Sequence, residues 1–288
     1  AVSGIVPDNR ELLDVIPVEY AIAGQGGIRN PIGMRGVKLE MQANVVSALL
    51  PVCMNLKEVA NALNINALKL APTAVAAGRA VLLESQKENG VAVVEMGAVT
   101  TSVAIFMEGF LQYFGVINIG ANHITNDIAI SLAVSTEVAE EIKMKYVTAE
   151  LIDNDKPMTM RFGDESISFT KTMVNRIVED RLIDIFEHVK KEIAIAGYEK
   201  KLPEGVVLTG GGAEMRGIER FAREHMEVAT RIGLPLMDVT HIDNETKKPR
   251  FAVAIGLALM MNDDMREQET RVEEKPMSFF GKLFGGGR

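Results

Sequence analysis

Cysteine, histidine in any ordered spacing, and long apolar runs are what this sequence has least of, and each shortage removes a class of protein. A single Cys53 cannot build a disulfide framework. It points to a reducing cytoplasm and is expected as a small buried hydrophobe. His123, His188, His225 and His241 show no metal-ligand spacing, so no metal centre is expected from them. The longest apolar stretch, residues 251–261, falls short of the roughly 20 residues that a membrane-spanning helix needs. Lys and Arg form no run able to neutralise a row of phosphates, and the net charge is −8 with a pI near 5.2. No nucleic-acid partner is expected. The opening residues, AVSGIVPDNREL, have no initiator Met, basic n-region or apolar h-region, so the chain reads as though cut from something longer.

What remains is an ordinary globular composition, 47% hydrophobic and 24% charged over 288 residues, enough for two domains. Strand patterns at 12–19 and 37–46 flank a turn-rich stretch. A helix over 54–63, a strand over 67–70 and a small-residue helix over 73–84 follow, with nothing catalytic among them. Beyond them the pattern predicts a hairpin over 91–106, a strand over 110–119 and helices over 120–134 and 135–148, the second capped by Ser135 or Thr136. A short hairpin between 153 and 168 precedes a long amphipathic helix over 172–196. A strand at 206–208, a helix through 216–226, a strand near 228–233 and a final helix over 250–261 complete an α/β alternation.

Two stretches carry most of the chemistry. Residues 91–105 (VAVVEMGAVTTSVAI) are a buried strand, a tight turn at 97–101 offering hydroxyls and N–H groups, and a returning strand. Residues 205–218 (GVVLTGGGAEMRGI) are a strand, a glycine turn and, from Ala213, the opening of a helix whose N–H groups attract anions. One glycine-rich loop is a weak signal. Two such loops, about a hundred residues apart, resemble the layout of the actin-like ATPase fold, in which both face one ligand.

The C-terminal region changes character twice. Residues 262–276 are densely charged and read as a solvated linker. On a helical wheel Met277, Phe279, Phe280, Leu283 and Phe284 then share an arc of about 160°, with Ser278 and Lys282 opposite. That is a short basic amphipathic segment suited to a membrane interface. The competing readings are packing back onto the body, or disorder.

The combination resembles the FtsA family of bacterial actin homologues. The matching segments are VIPVEYAI (15–22), GIRNPIGMRGVKLE (27–40), GANHITNDIA (120–129), AEEIK (139–143), VVLTGGGAEMRGIE (206–219), RIGLP (231–235) and AVAIGLALM (252–260). The resemblance implies an actin-like α/β fold of ribonuclease-H-like layers. Residues 1–68 would be most of a 1C (SHS2) subdomain, 69–89 and 250–261 parts of 1A, 90–134 and 205–249 subdomain 2A, and 135–204 subdomain 2B. Residues 262–276 would be the linker and 277–288 a membrane-targeting tail. The first strands of 1A and the first phosphate loop of the family have no counterpart, which suggests a truncated gene or a fragment.

Carried across residue by residue, the resemblance implies that Gly97, Thr100 and Thr101 face the phosphates of ATP. Glu95 would hold Mg²⁺ through water. Gly210, Gly211 and Gly212 form the adenosine loop with Met215, Glu140 and Lys143 contact ribose and adenine, and Asn122 and Asp127 organise the cleft. The family's function would be to tether the tubulin-like FtsZ ring to the cytoplasmic face of the membrane at the septum, with other divisome proteins, through ATP-dependent polymers of itself. Departures put the phosphate side in doubt: Glu95 stands for Asp, Ala98 and Val99 for glycines, and Ser102 for a second carboxylate. Nucleotide binding is expected to be weakened, and ATP hydrolysis slow or absent. The alternatives are a type IV pilus assembly adaptor of the same superfamily and a sugar-kinase-like phosphotransferase, for which no catalytic Asp is evident.

Overall fold

A computed structural model describes residues 6–65, 69–150, 156–163, 165–236 and 244–273. The expected membrane tail at 277–288 lies outside the described residues.

The chain opens with an antiparallel sheet of β1 (Arg10–Ile22), β2 (Gln25–Ile28) and β3 (Leu39–Leu49), in the order β2-β1-β3, followed by helix α1 (Leu50–Ala62). Helix α1 starts four residues before the expected position. Pro51 sits at its first turn, where a missing N–H leaves no bond unmade. The strand expected at 67–70 is partly outside the described residues, and 69–72 are irregular.

The expected helix over 73–84 is broken in two. Helix α2 (Thr73–Val81) ends where Leu82 and Leu83 turn extended, and α3 (Glu84–Asn89) restarts from Leu83. The Leu83 N–H donates to the Gln86 side chain at 3.1 Å, half of a capping box, which marks a new helix start.

The second body is built on β4 (Val91–Met96), β5 (Thr101–Met107) and β6 (Phe110–Ile117), then α4 (Ala121–Leu132), α5 (Thr136–Tyr146), a hairpin of β7 (Pro157–Phe162) and β8 (Glu165–Thr170), and α6 (Lys171–Ile195). Strand β9 (Val206–Thr209), α7 (Ile218–Met226), β10 (Thr230–Ile232) and α8 (Ala252–Glu273) complete it. Ser135 caps α5 as expected, accepting from the Val138 N–H at 3.4 Å. The five-stranded sheet has the order β10-β9-β4-β5-β6, parallel across β10, β9 and β4 and antiparallel across β4, β5 and β6.

Every residue of β4 and of β9 is buried, as continuous aliphatic runs demand when both faces of a sheet are covered. On one face Val94, Val103, Ile128, Ile142, Val178, Ile185 and Leu208 form a core with α4, α5, α6 and α7. On the other, Val91, Val93 and Val207 pack on Ala74, Ala77, Val81 and Ala252. The segments 69–89 and 250–261 therefore supply this second helical layer on the same sheet. Helices α2 and α8 approach closely enough that a Cβ on Gly256 would lie 1.7 Å from the Ala76 carbonyl oxygen.

Two expectations near the C-terminus change. No α-helix opens at Ala213: a 3-10 turn, Gly211–Glu214, comes first, and α7 begins at Ile218 after Gly217 at φ +82. The charged stretch from 262 is also no linker over most of its length, because α8 continues to Glu273. Its Arg, Glu and Gln residues are polar but strong helix formers, so polarity alone does not distinguish a linker from a helix here.

Candidate functional site

Strands β4 and β9 are parallel neighbours, with Glu95 opposite Thr209, so both glycine loops leave the sheet at the same end. The carboxyl end of parallel strands is where ligands of open α/β sheets bind. This pairing, rather than either loop alone, creates the site.

The first loop is a four-residue turn closed by the Gly97 N–H donating to the Thr100 carbonyl at 2.9 Å. Helix α4 starts on top of it. Ala121 and Asn122 donate their N–H groups to the carbonyls of Gly97 and Ala98 at 2.9 and 2.8 Å. Gly120 permits this approach, since a Cβ there would stand 2.6 Å from the Ala98 oxygen. Those two helix N–H groups serve the turn. The Thr101 hydroxyl is spent inside the protein as well, donating to the Ile119 carbonyl at 2.8 Å, and Thr101 is fully buried.

The second loop is fixed from below and behind. Gly210, at φ +87, donates its N–H to the Pro249 carbonyl at 3.1 Å, and the Thr209 hydroxyl reaches the carbonyls of Gly233 and Pro249 at 3.1 and 3.2 Å. A Cβ on Gly210 would lie 2.6 Å from Met96 O, and one on Gly212 would lie 2.9 Å from Met96 Cβ. Gly211 faces open space.

Between the loops lies a cleft of about 460 Å³. It collects Gly97, Asn122, Glu140, Lys143, Gly211, Gly212 and Met215 from the expected set. The Lys143 ammonium is held by Glu140 Oε2, the Thr125 hydroxyl and the Ala121 carbonyl at 2.7, 2.7 and 3.2 Å. Burial pushes the Glu140 carboxyl up, but hydrogen bonds from Lys143 and Thr125 outweigh it and hold it below its ordinary range. Both of those bonds land on Oε2, so Oε1 can accept from a ligand hydroxyl.

Several expected residues stand elsewhere. Asp127 faces away from the cleft, in a bidentate pair with Arg181 of α6 at 2.7 and 3.0 Å. Helical periodicity decides this: Asp127 is five residues on from Asn122, so it falls on a different face of α4. Thr100, Thr101 and Gly210 support the loops without lining the cleft. Glu95 is 7% exposed beneath them, and a Cβ on Gly210 would come 2.7 Å from its Oε1. Burial raises the Glu95 carboxyl above its ordinary range, against a hydrogen bond with Thr73. Buried beneath the loops and absent from the cleft lining, Glu95 does not stand where the hydrated Mg²⁺ implied for it would sit. Among the described residues no cluster of three or more metal-ligating side chains occurs.

The cleft also holds residues that the motifs did not single out: Ala121, Met144, Val147, Glu214, Arg216 and Arg250. Met144 and Val147 follow Glu140 and Lys143 at i+4, and Glu214 and Arg216 lie inside the second motif. Arg250 had no local signal. It arrives because Pro249 accepts from Thr209 and Gly210.

A family model described as "Cell division protein FtsA" matches residues 92–256, and one described as "SHS2 domain inserted in FTSA" matches 1–47. Cell division protein FtsA of Pseudomonas aeruginosa is 31% identical over 88% of this chain and 62% of its own length. The corresponding figures for Borreliella burgdorferi are 32%, 91% and 64%. The chain thus spans somewhat less than two thirds of these relatives. Among solved structures, an MreB protein of Spiroplasma citri bound to ADP has a TM-score of 0.62 at 17% identity, covering 77% of this chain and 68% of its own. The PilM-PilN type IV pilus biogenesis complex has 0.64 at 19%, covering 88% and 67%. These likenesses establish the actin-like fold. The family model covers more than half of the sequence, begins in β4 and ends within α8, so that both loop-bearing strands lie inside it, and the chain belongs to the FtsA family.

Proposed function

We propose that this protein is an actin-like adaptor of cell division that binds ATP in the cleft between its two glycine loops, assembles with itself, and tethers FtsZ and other divisome proteins to the cytoplasmic face of the membrane at the septum. The observation that carries the reading is the convergence of both loops with Glu140 and Lys143 around one cleft, in a chain of the FtsA family. Gly211, Gly212 and Met215 leave room for a purine beside Met144 and Val147, and Glu140 accepts from a ribose hydroxyl. The nucleotide supplies a phosphate-dependent conformational signal. The chain's own contribution is to bind and orient it.

On the phosphate side Ala98 and Val99 occupy the turn, and the Thr101 hydroxyl is committed to Ile119. The reading therefore gives ATP a binding role with little or no hydrolysis, and derives no step through Mg²⁺. Self-assembly is supported by exposed apolar residues on the first body, including Val37, Leu56 and Val59 of α1, and Leu63 just after it. Anchoring is assigned to Met277, Phe279, Phe280, Leu283 and Phe284, whose single-tail affinity is marginal and is multiplied by assembly.

The test is sedimentation of purified FtsZ with vesicles of anionic phospholipid, with and without this protein and ATP. FtsZ is expected in the vesicle fraction only when this protein is present, and more of it with ATP. FtsZ that stays in the supernatant throughout would overturn the reading.

A further inference from the structure

The cleft carries three cations, and they are not equivalent. Lys143 is consumed by Glu140, Thr125 and the Ala121 carbonyl. Arg216 is exposed, and its main-chain carbonyl accepts from Thr148 and Ala149. Arg250 differs from both. Its Nε donates to Glu214 Oε1 at 2.7 Å, its Nη2 pairs with Glu214 Oε2, and its backbone N–H also donates to Oε1 at 3.3 Å.

A two-pronged pairing of this kind fixes the plane of a guanidinium, which a lysine cannot reproduce. The hydrogen bond from Arg250 holds the Glu214 carboxyl below its ordinary range, so the pair stays ionised at neutral pH. Opposite charges in contact leave the pair close to neutral overall. Its value to a ligand is then the flat face of the guanidinium more than a net positive charge. The side chain remains 46% exposed, and both partners line the cleft next to Gly211 and Gly212, which present no side chain. The segment that carries Arg250 is itself tied to the loop through Pro249, which accepts from Thr209 and Gly210.

We propose that Arg250, held flat by Glu214, is a purine-positioning residue that stacks on the base of the bound nucleotide across the glycine loop. The assignment rests on the nucleotide reading above and adds to it the part of the ligand that Arg250 recognises. Guanidinium groups stack on π-faces, and the contribution is largest where water is excluded.

The experiment is calorimetric titration of the whole protein with adenosine, ADP and ATP, in wild type and in Arg250→Ala, Arg250→Lys and Glu214→Gln. A base contact is lost equally whatever the phosphate number. Arg250→Ala should therefore weaken all three ligands by the same factor, roughly three- to tenfold. Arg250→Lys should fail to restore them, because it keeps charge and loses the plane. Glu214→Gln should give a smaller uniform loss, and it carries the comparison if Arg250→Ala does not fold. A loss that grows from adenosine to ATP, full rescue by lysine, or unchanged affinities would each overturn the assignment. Wild-type protein that binds none of the three would bring down the nucleotide reading itself, and this assignment with it.

Discussion

A methyl group separates Gly210 from alanine, and at this position it has nowhere to go. The backbone holds φ +87 and ψ 174, a region open essentially to glycine alone, and the new Cβ would press on Met96 O and Glu95 Oε1. Gly210→Ala is expected to cost about 2–4 kcal/mol in urea unfolding. Gly211→Ala, one residue on and facing open space, should stay within about 0.5 kcal/mol of wild type. Equal effects of the two substitutions would refute the loop geometry. Glu95 offers a second test at this scale. Its carboxyl is raised by burial above 4.5, so the folded state favours the proton. The favourable contribution of the neutral acid is complete below its unfolded pKa and is lost as pH rises through the raised folded value. Glu95→Gln keeps a neutral side chain at every pH. Its stability relative to wild type should improve as pH rises from 4 to 8 in urea titrations, and a difference independent of pH would count against a raised Glu95 carboxyl.

At the scale of elements, the paired strands β4 and β9 decide where chemistry collects, and the helices decide which side chains reach it. Helix α4 sends Asn122 to the cleft and Asp127 to Arg181 on α6. Both partners of that pair are 27% exposed, and Arg181 keeps a second carboxylate, Asp184, at 2.8 Å. Asp127→Asn is therefore expected to destabilise by about 1 kcal/mol while leaving nucleotide affinity unchanged. A tenfold loss of ATP binding with unaltered unfolding would put Asp127 back in the site. The hairpin 91–106, the strand after it and α4 to α6 were legible because aliphatic runs and 3.6-residue periodicity are local signals. The break between α2 and α3 was not, since Gln86 capping Leu83 looks like uninterrupted helix in composition. Nor was the extension of α8 to Glu273, where polar residues carry high helix propensity.

Across the whole molecule, one sheet is covered on both faces, by α4 to α7 on one side and by α2 and α8 on the other. Helix α8 packs on α2 and extends beyond residue 261 to Glu273. In the proposed function, assembly of several copies brings several of the segments 277–288 together. Removing residues 277–288 is accordingly expected to reduce vesicle pelleting of the assembled protein more than tenfold, by loss of avidity, with the unfolding transition unchanged. Pelleting that survives the deletion would remove the anchor from the proposal.

The sequence by itself determined the family, the two glycine loops and the order of strands and helices, because each is written in short-range pattern or in residue identity. Only the tertiary structure decided which of those residues form a site. Whether a side chain meets a ligand depends on partners far along the chain: Ile119 takes the Thr101 hydroxyl, Arg181 takes Asp127, and burial between α2 and the loops keeps Glu95 beneath the cleft. Arg250 enters by the same route, brought to Glu214 from 36 residues away by a carbonyl at Pro249.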